Sequence, residues 1–340
     1  MKKLVLIAIL MLMFSGQSFA AKRAYLVCIG DYPAEKGWAR ISSGNDLAIL
    51  SGALSGDFIV ESLSDSMATY DNLVNFLRRI SETAAPSDTV LIHFSCHGQQ
   101  MSLEVDDADR DIDGLDEALV PYDAEREYSE HYKGERHLRD SEFGELSESV
   151  RYALGPGGLL IVTFDACHSD SMVRGDGKPF VNGSVIRGYA GIFGPEPDSL
   201  TLAKLREMHA VQDTAAVRTR AGQCEEILIS ACKASDRNRE TVQDGKGYGS
   251  LSYAIASAYE KSSGIDDVDG FVASVIAEMK VLHPGQQPVV RSSFHIDIAS
   301  SADTVVGSDE KEKNTGWPRF FLIPAILIFA VALVCRIRKK

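Results

Sequence analysis

Two short apolar runs in this chain end abruptly in reactive side chains. Residues 92–98 read Ile-His-Phe-Ser-Cys-His-Gly, and residues 162–169 read Val-Thr-Phe-Asp-Ala-Cys-His-Ser. Apolar runs of this length rich in β-branched residues predict buried strands. In an open parallel sheet, chemistry takes place just beyond the carboxyl ends of the strands. We therefore expect His97 and Cys167 to share one crevice, an arrangement typical of a cysteine hydrolase.

The chemistry of such a pair is nucleophilic attack on a carbonyl carbon. A thiolate is a strong nucleophile, and a nearby imidazole can favour its ionisation and later protonate the leaving group. Asp165 lies two residues before Cys167, so alternation along the strand places both side chains on the same side. A carboxylate is thus predicted to face the crevice, where it would attract a cationic group of a substrate.

The same residues could instead form a zinc site or a disulfide. His93, Cys96, His97, Cys167 and His168 are all of zinc-ligand type. However, His93 and Cys96 would point to opposite faces of a strand, and an adjacent Cys-His pair rarely chelates one ion. A disulfide between Cys96 and Cys167 would silence the nucleophile in an oxidising compartment. The spacing favours cysteine catalysis and leaves both alternatives open.

The elements that position these residues alternate between strands and helices. Helices are predicted at residues 46–54, after a cap at Thr69, after a cap at Asp140, and at 250–261 and 268–279. Strands are predicted at residues 23–30, 58–63, 89–95, 159–164 and 226–231, with a last extended piece at 288–294. This alternation predicts an α/β fold with a mostly parallel central sheet covered by helices on both faces.

Residues 168–224 interrupt the alternation with a stretch longer than loops inside compact domains usually are. An exposed, soluble loop is one interpretation of this stretch, and a processing linker is the other. Its seven basic residues are Arg174, Lys178, Arg187, Lys204, Arg206, Arg218 and Arg220.

The N-terminal residues predict export. Two lysines precede an apolar run at residues 4–14, and small residues at 18–20 complete a signal peptide, residues 1–20, cut before Ala21. The domain that follows, residues 21–300, is therefore expected on the periplasmic or extracellular side.

The C-terminal residues predict a single-pass membrane anchor. Residues 317–337 are short but long enough to span if Trp317 and Arg336 lie at the two interfaces. A charged spacer, residues 301–316, precedes this helix, and a basic tail, residues 338–340, is expected to stay cytoplasmic. A sorting signal that is later removed has the same pattern.

Acidic residues dominate the charge of the chain, which is -13 at pH 7. This charge argues against nucleic acid as a partner. Asp109-x-Asp111-x-Asp113-Gly114 resembles the first half of an EF-hand loop, but Val120 stands where the bidentate glutamate is due, so a true EF-hand is not expected. A solvated acidic face is one interpretation; a Ca²⁺ site is the sharper one, and no organic cofactor is expected. The candidate Ca²⁺ ligands are Asp109, Asp111, Asp113, Asp116 and Glu117.

Several motifs together resemble those of metacaspases and their bacterial relatives. Ser-Cys-His-Gly at 95–98 is similar to the histidine motif, and Asp-Ala-Cys-His-Ser at 165–169 to the nucleophile motif. Corroborating matches are Asn-Asp at 45–46 and Gly-Leu-Asp-Glu-Ala-Leu-Val-Pro at 114–121. The resemblance implies a caspase-like three-layer fold and a cysteine endopeptidase that is often calcium-dependent. Self-cleavage within 168–224 is also expected, because a basic linker near an enzyme that cuts after Arg or Lys is a tethered substrate.

The resemblance also implies roles for individual residues. The backbone N–H groups of Gly98 and Cys167 would bind the oxyanion, and Asp165, Asp46 and Ser95 would line a pocket for substrate arginine or lysine. Arginine is expected to exceed lysine because a guanidinium pairs bidentately with a carboxylate. The alternatives are a catalytically silent, calcium-dependent binding or scaffold module and a peptidase similar to gingipain or clostripain.

Overall fold

A computed structural model describes residues 20–102, 115–166, 180–181, 184–189, 191–194, 217–233, 236–262 and 264–297. Several predicted features lie outside these described residues: Cys167, Asp109, Asp111, Asp113, residues 1–19 of the signal peptide, the spacer, the predicted span at 317–337 and the tail. The export signal and the anchor therefore stay predictions. Among the helices in the described ranges, none is long and apolar enough to cross a bilayer.

Strands and helices alternate along the described chain, as expected from the sequence. The strands are β1 (Lys22–Cys28), β2 (Ile59–Ser64), β3 (Thr89–Ser95), β4 (Gly98–Ser102), β5 (Leu115–Leu119), β6 (Leu138–Arg139), β7 (Leu159–Asp165), β8 (Phe180–Val181), β9 (Ser184–Val185), β10 (Ile192–Phe193), β11 (Glu225–Ser230), β12 (Glu240–Gln243), β13 (Lys246–Gly249) and β14 (Val289–Ser292). The helices are α1 (Ser43–Leu54), α2 (Tyr70–Thr83), α3 (Asp140–Leu154), α4 (Ser250–Ser262) and α5 (Val268–Leu282).

The central sheet has the strand order β14-β11-β7-β3-β1-β2. The pairs from β11 to β2 are parallel, whereas β14 runs antiparallel to β11. The prediction of a mostly parallel sheet is therefore confirmed. Its register pairs Ser95 with Asp165 and Cys28 with Ser95, so the carboxyl ends of β1, β3 and β7 lie side by side.

Helices cover both faces of this sheet, which explains why its strands are apolar throughout. On one face, Val27 and Phe94 pack with residues of α2 and α3. On the other face, Leu26 and Ile161 pack with residues of α1, α4 and α5. Alternate residues of one strand thus enter two separate cores, and the sheet ends are held from both sides.

Two helix starts differ from the predicted caps. Thr69 is the residue before α2, but its side chain makes no capping hydrogen bond. The N–H of Tyr70 instead donates to Asp123 Oδ1 at 2.8 Å, so a distant carboxylate provides the acceptor. Asp140 is the first helical residue of α3 rather than its cap, which is Arg139.

Candidate active site

His97 lies between β3 and β4, at the carboxyl end of the central sheet. Its Nε2 is 2.7 Å from the backbone carbonyl oxygen of Ala39. A carbonyl oxygen can only accept, so Nε2 carries the proton and Nδ1 carries the lone pair. Nδ1 is buried and has no hydrogen-bond partner among the described residues. Burial lowers the pKa of His97 to about 4, so the imidazole is a neutral base at neutral pH.

Aromatic side chains from the loop after β1 fix the orientation of this ring. Trp38 stacks on His97 with the ring centroids 5.1 Å apart, and the Tyr32 ring lies at the same distance. Tyr32 Oη donates to the carbonyl oxygen of Val120 at 2.8 Å, and Trp38 Nε1 donates to that of Ala124 at 3.0 Å. These aromatic contacts could not be predicted from the sequence, because no local pattern connects an aromatic residue in one loop with a histidine 59 to 65 residues further on.

The sheet register places side by side the two strand ends that precede His97 and Cys167 in the sequence. Ser95 and Asp165 are paired neighbours at the ends of β3 and β7. His97 follows Ser95 by two residues, and Cys167 follows Asp165 by two residues. Gly98, the predicted oxyanion donor, is the first residue of β4. Cys167 itself lies outside the described residues, so its role as nucleophile stays a prediction.

Asp46, Ser95 and Asp165 converge in the structure. Asp46 lies in the first turn of α1, and all three residues are fully buried. Ser95 Oγ donates to Asp46 Oδ2 at 2.7 Å. A further carboxylate, Glu240 at the start of β12, joins them and accepts from the N–H of Ser42 at 2.6 Å. We call Asp46, Ser95, Asp165 and Glu240 the acidic pocket.

The acidic pocket holds an arginine of the same chain. Arg187 Nη2 donates to Asp46 Oδ2 at 2.7 Å and to Glu240 Oε1 at 3.0 Å. Arg187 Nη1 donates to Ser95 Oγ at 2.7 Å and lies 3.9 Å from Asp165 Oδ2. The Arg187 side chain is 0% exposed. The interpretation of the interrupting stretch as an exposed loop is therefore wrong at Arg187, because these carboxylates offset the cost of burying its charge.

The charges in the pocket shift one another's pKa values. Burial by itself would lower the pKa of Arg187, but Asp46, Asp165 and Glu240 hold it above its ordinary value. Burial would raise the pKa of Asp165, yet Arg187 and hydrogen bonds from Asn238 and Ser252 hold it below the usual range. Burial raises the pKa of Asp46, and the nearby charge of Asp165 adds to this effect. The pocket therefore binds a guanidinium that stays charged.

The walls of the pocket include amide and backbone N–H groups that donate hydrogen bonds to its carboxylates. Asn238 Nδ2 donates to Asp165 Oδ1 at 2.7 Å, and the N–H of Ser252 donates to Asp165 Oδ2 at 2.7 Å. The N–H of Gly249 donates to Asp46 Oδ1 at 2.9 Å. A Cβ on Gly249 would lie 2.6 Å from Arg187 Nη1. Glycine is thus needed here because the backbone itself forms one wall.

The zinc and disulfide alternatives do not fit the described residues. Both ring nitrogens of His93 are hydrogen-bonded, to Thr163 Oγ1 at 2.7 Å and to Ser252 Oγ at 3.0 Å. Cys96 is a buried free thiol whose pKa burial raises to about 12. In the ranges that the structure describes, no group of three histidine, cysteine or acidic residues is arranged to hold a metal ion.

The described members of the predicted Ca²⁺ site lie on β5. Asp116 is 3% exposed, and its Oδ1 has no hydrogen-bond partner among the described residues. Asp140 of α3 is a neighbour that the sequence analysis took only for a cap. Asp140 and Glu117 line a cavity of about 670 Å³. The Asp140 side chain reaches solvent there, yet protein atoms crowd it. Close packing of protein atoms around this exposed side chain, a hydrogen bond with Asp116 and the nearby carboxylates raise the pKa of Asp140.

Part of this sequence matches the sequences of known proteins. Residues 55–175 match the family model of the metacaspase peptidase C14 domain. This stretch is therefore similar to a metacaspase peptidase C14 domain. The family consists of cysteine-type peptidases, which are hydrolases, and the matched stretch contains His97, Asp165 and Cys167. The resemblance inferred from the motifs is thereby confirmed.

Curated relatives that this chain resembles include fungal metacaspases. Metacaspase-1 of Yarrowia lipolytica is 25% identical over 257 residues, which cover 68% of this chain and 51% of the relative. Metacaspase-1B of Aspergillus terreus is 26% identical over 260 residues, covering 68% of this chain and 62% of the relative. The chain thus spans roughly half to three fifths of the length of these relatives. The protein GSU0716 of Geobacter sulfurreducens has a similar fold, with a TM-score of 0.53 and 19% identity over 83% of this chain and 96% of that one.

Proposed function

We propose that this protein is a cysteine endopeptidase that hydrolyses peptide bonds after arginine and, less well, after lysine. The observation that carries the proposal is the arginine side chain held by the acidic pocket, at the same sheet edge as His97. A guanidinium bound there by Asp46, Glu240 and Ser95 has the contacts that a substrate arginine would need. Lysine would form fewer of these contacts because an ammonium group is a point donor rather than a planar fork.

In the proposed mechanism, the thiolate of Cys167 attacks the carbonyl carbon of the substrate arginine whose side chain is bound in the acidic pocket. Nδ1 of His97 carries a lone pair and is the atom available to take the thiol proton. The same atom then returns the proton to the leaving amine. Backbone N–H groups of Gly98 and Cys167 are proposed to bind the oxyanion, where losing one donor typically costs about 2.7 to 4 kcal/mol.

A thiol-reactive arginyl peptide tests the proposed class of activity. The full-length protein, after prolonged incubation, should be labelled at Cys167 by a peptidyl-arginine acyloxymethyl ketone, which is seen as a single added mass. The matched aspartyl ketone should label at least about tenfold more slowly, since its carboxylate is repelled by the acidic pocket. An arginyl probe that leaves Cys167 unmodified in folded protein would favour the silent scaffold alternative.

We also propose that Ca²⁺ binds beside β5 and supports the active conformation. Asp116, Glu117 and Asp140 do not by themselves form a metal-binding group. They would contribute oxygen ligands only together with the carboxylates of Asp109, Asp111 and Asp113. Carboxylate oxygens are the ligands that Ca²⁺ prefers. The buried Asp116 Oδ1 and the raised pKa of Asp140 support this proposal, because both indicate crowded carboxylates. Arg139 Nη1 lies 3.9 Å from the other oxygen of Asp116, Oδ2.

Calcium binding is expected to release a proton. Without calcium, the raised pKa of Asp140 keeps its carboxyl protonated near neutral pH, and a cation would displace that proton. The free energy of unfolding should then fall as pH rises above about 4, the ordinary carboxyl pKa, because the folded state holds the proton more tightly than the unfolded chain. Calorimetry in buffers of different ionisation enthalpy measures the proton release.

The matched controls for this prediction are two single substitutions. Asp140→Asn should remove the proton release and weaken calcium binding, whereas Asp266→Asn, at a side chain 82% exposed, should change neither. Equal activity in chelator and in millimolar calcium, with no heat of binding, would leave these acids as a solvated surface.

A further inference from the structure

Residues 184–189 contact the acidic pocket in the way that a bound peptide contacts the protein that binds it. Ile186 forms an antiparallel bridge with Arg239. The N–H of Arg187 donates to the backbone carbonyl oxygen of Asn238 at 3.2 Å. Addition of an extended segment to a strand edge is a common way in which proteins bind peptides, with pockets that read single side chains. Here the side chain that is read is Arg187.

The residues that contact this segment are held in place by their own hydrogen bonds. Asn238 accepts from the Arg187 backbone and donates from its side chain to Asp165. Gln286 holds the same stretch, because its Nε2 donates to Asn238 Oδ1 at 3.0 Å and its Oε1 accepts from the N–H of Arg239 at 3.1 Å. One short stretch therefore binds both the backbone and the side chain of Arg187, as a substrate-binding strand must.

The chain on the far side of Arg187 is also held. Gly188 follows directly and has no side chain to obstruct a nucleophile. The Tyr189 ring lies under the Arg126 guanidinium at 5.1 Å, and β10 pairs in parallel with β4. The Arg187–Gly188 bond thus lies between two segments of the chain that are each held by contacts with the rest of the protein.

We propose that residues 184–189 are an internal substrate, with Arg187–Gly188 as the bond that the enzyme cuts in its own chain, and that the segment excludes external substrates until this cut is made. The inference rests on the proposed endopeptidase function and adds the bond, the occupant and the order of events. Six other basic residues in 168–224 are candidates by sequence alone. Among the described residues, Arg187 is the linker arginine seated in the pocket.

The cut is an ordinary hydrolysis. The Cys167 thiolate adds to the Arg187 carbonyl carbon, the C–N bond to Gly188 breaks, and Gly188 leaves as an amine that takes a proton from His97. Water then adds to the thioester, which releases the Arg187 carboxylate and restores the thiol. The new end at Arg187 is no longer tethered to Gly188, so it can leave the pocket and admit another arginine.

Cleavage of the Arg187–Gly188 bond should be intramolecular, because the Arg187 side chain already lies in the acidic pocket of the same protein molecule. Full-length protein is purified with its thiols blocked as mixed disulfides and is started with dithiothreitol. Intact-mass analysis should show fragments that end at Arg187 and begin at Gly188. The first-order rate should be the same over about a hundredfold range of protein concentration, since tethering replaces the encounter. Cutting only at other bonds, or a rate that rises with concentration, would overturn the inference.

Two substitutions distinguish cleavage of the Arg187–Gly188 bond from occupation of the acidic pocket by Arg187. Arg187→Gln cannot fill the pocket with a guanidinium, so it should stay uncut here and turn over an arginyl peptide without a lag. Its initial rate should be at least about tenfold that of uncut wild type, because the competent fraction is larger. Gly188→Pro keeps Arg187 but has no N–H at the scissile bond; it should remain uncut and nearly inactive. Arg218→Gln, an exposed linker arginine, should behave as wild type.

A binding measurement keeps the test independent of turnover and of any folding defect in one variant. In a Cys167→Ala background, calorimetry with acetyl-Ser-Val-Ile-Arg-amide should detect binding only when Arg187→Gln is also present. Equal binding with and without Arg187→Gln would show that the segment does not block the pocket. If wild type turns over arginyl peptides at once and keeps Arg187–Gly188 intact, this inference fails and the proposed function stands. If the arginyl ketone and the peptides are both inert, the proposed function fails.

Discussion

Replacing Cys167 with alanine should lower kcat for arginyl peptides by at least about 10⁴-fold while the fold is retained, and His97→Ala should do the same. Removing either member of a nucleophile–histidine pair costs about as much as removing both, because the two act as one unit. Initial rates of fluorogenic peptide cleavage, with far-UV circular dichroism as the check on folding, measure this effect.

Cys96→Ala is the matched control for the nucleophile. Cys96 is one residue from His97, but it is buried in a core and its raised pKa keeps it as a thiol. This variant should keep most of the activity, as should His168→Ala. Undiminished turnover by purified Cys167→Ala would remove the basis of the proposed mechanism.

Removing one carboxylate from the acidic pocket should relax the preference for arginine rather than only slow the enzyme. Asp165→Asn, Asp46→Asn and Glu240→Gln each leave a bound guanidinium with one charged partner fewer. Breaking a buried ion pair costs about 3 to 5 kcal/mol, so kcat/KM for arginyl peptides should fall by about 10² to 4 × 10³-fold. Peptides with alanine at that position should change by no more than a few-fold.

Glu225→Gln is the control for the change in charge. Glu225 lies on β11 and is exposed, so its replacement should affect neither peptide class. Both carboxylates also accept structural hydrogen bonds, Glu240 from Ser42 and Asp165 from Asn238 and Ser252, so the alanyl peptides serve as the check on folding for each variant. Equal losses for arginyl and alanyl peptides would indicate a structural role. Best cleavage after aspartate would contradict the pocket assignment.

The elements of the fold could be predicted because their signals are local. Apolar runs and helical periodicity placed the strands at 89–95 and 159–164 and the helix at 268–279 within a few residues of β3, β7 and α5. Neighbouring strand ends then followed from the rule that parallel sheets carry chemistry at one edge. His97 and Asp165 were predicted by that argument, and Asp46 by a family motif.

The residues that the sequence analysis missed depend on contacts between distant parts of the chain. Glu240 reaches the pocket from a hairpin 194 positions beyond Asp46, and no periodicity reports such a contact. Arg187 was one of seven basic residues, with nothing local to distinguish it. Asp140 matched a helix-cap pattern, but a carboxylate on β5 gives it a different environment. Only the folded chain brings these residues together.

The strand order of the central sheet determines what would hold the protein together after a cut at Arg187. β7 precedes that residue in the chain and β11 follows it, yet the two are hydrogen-bonded neighbours along six residue pairs, from Glu225 with Leu159 to Ser230 with Phe164. Hydrolysis would therefore convert an intramolecular sheet into the interface of a two-chain complex without moving a strand. The native state would persist, but refolding would become an encounter between two polypeptides. The mature enzyme would then be stable for kinetic reasons, and one unfolding event at low concentration would be difficult to reverse.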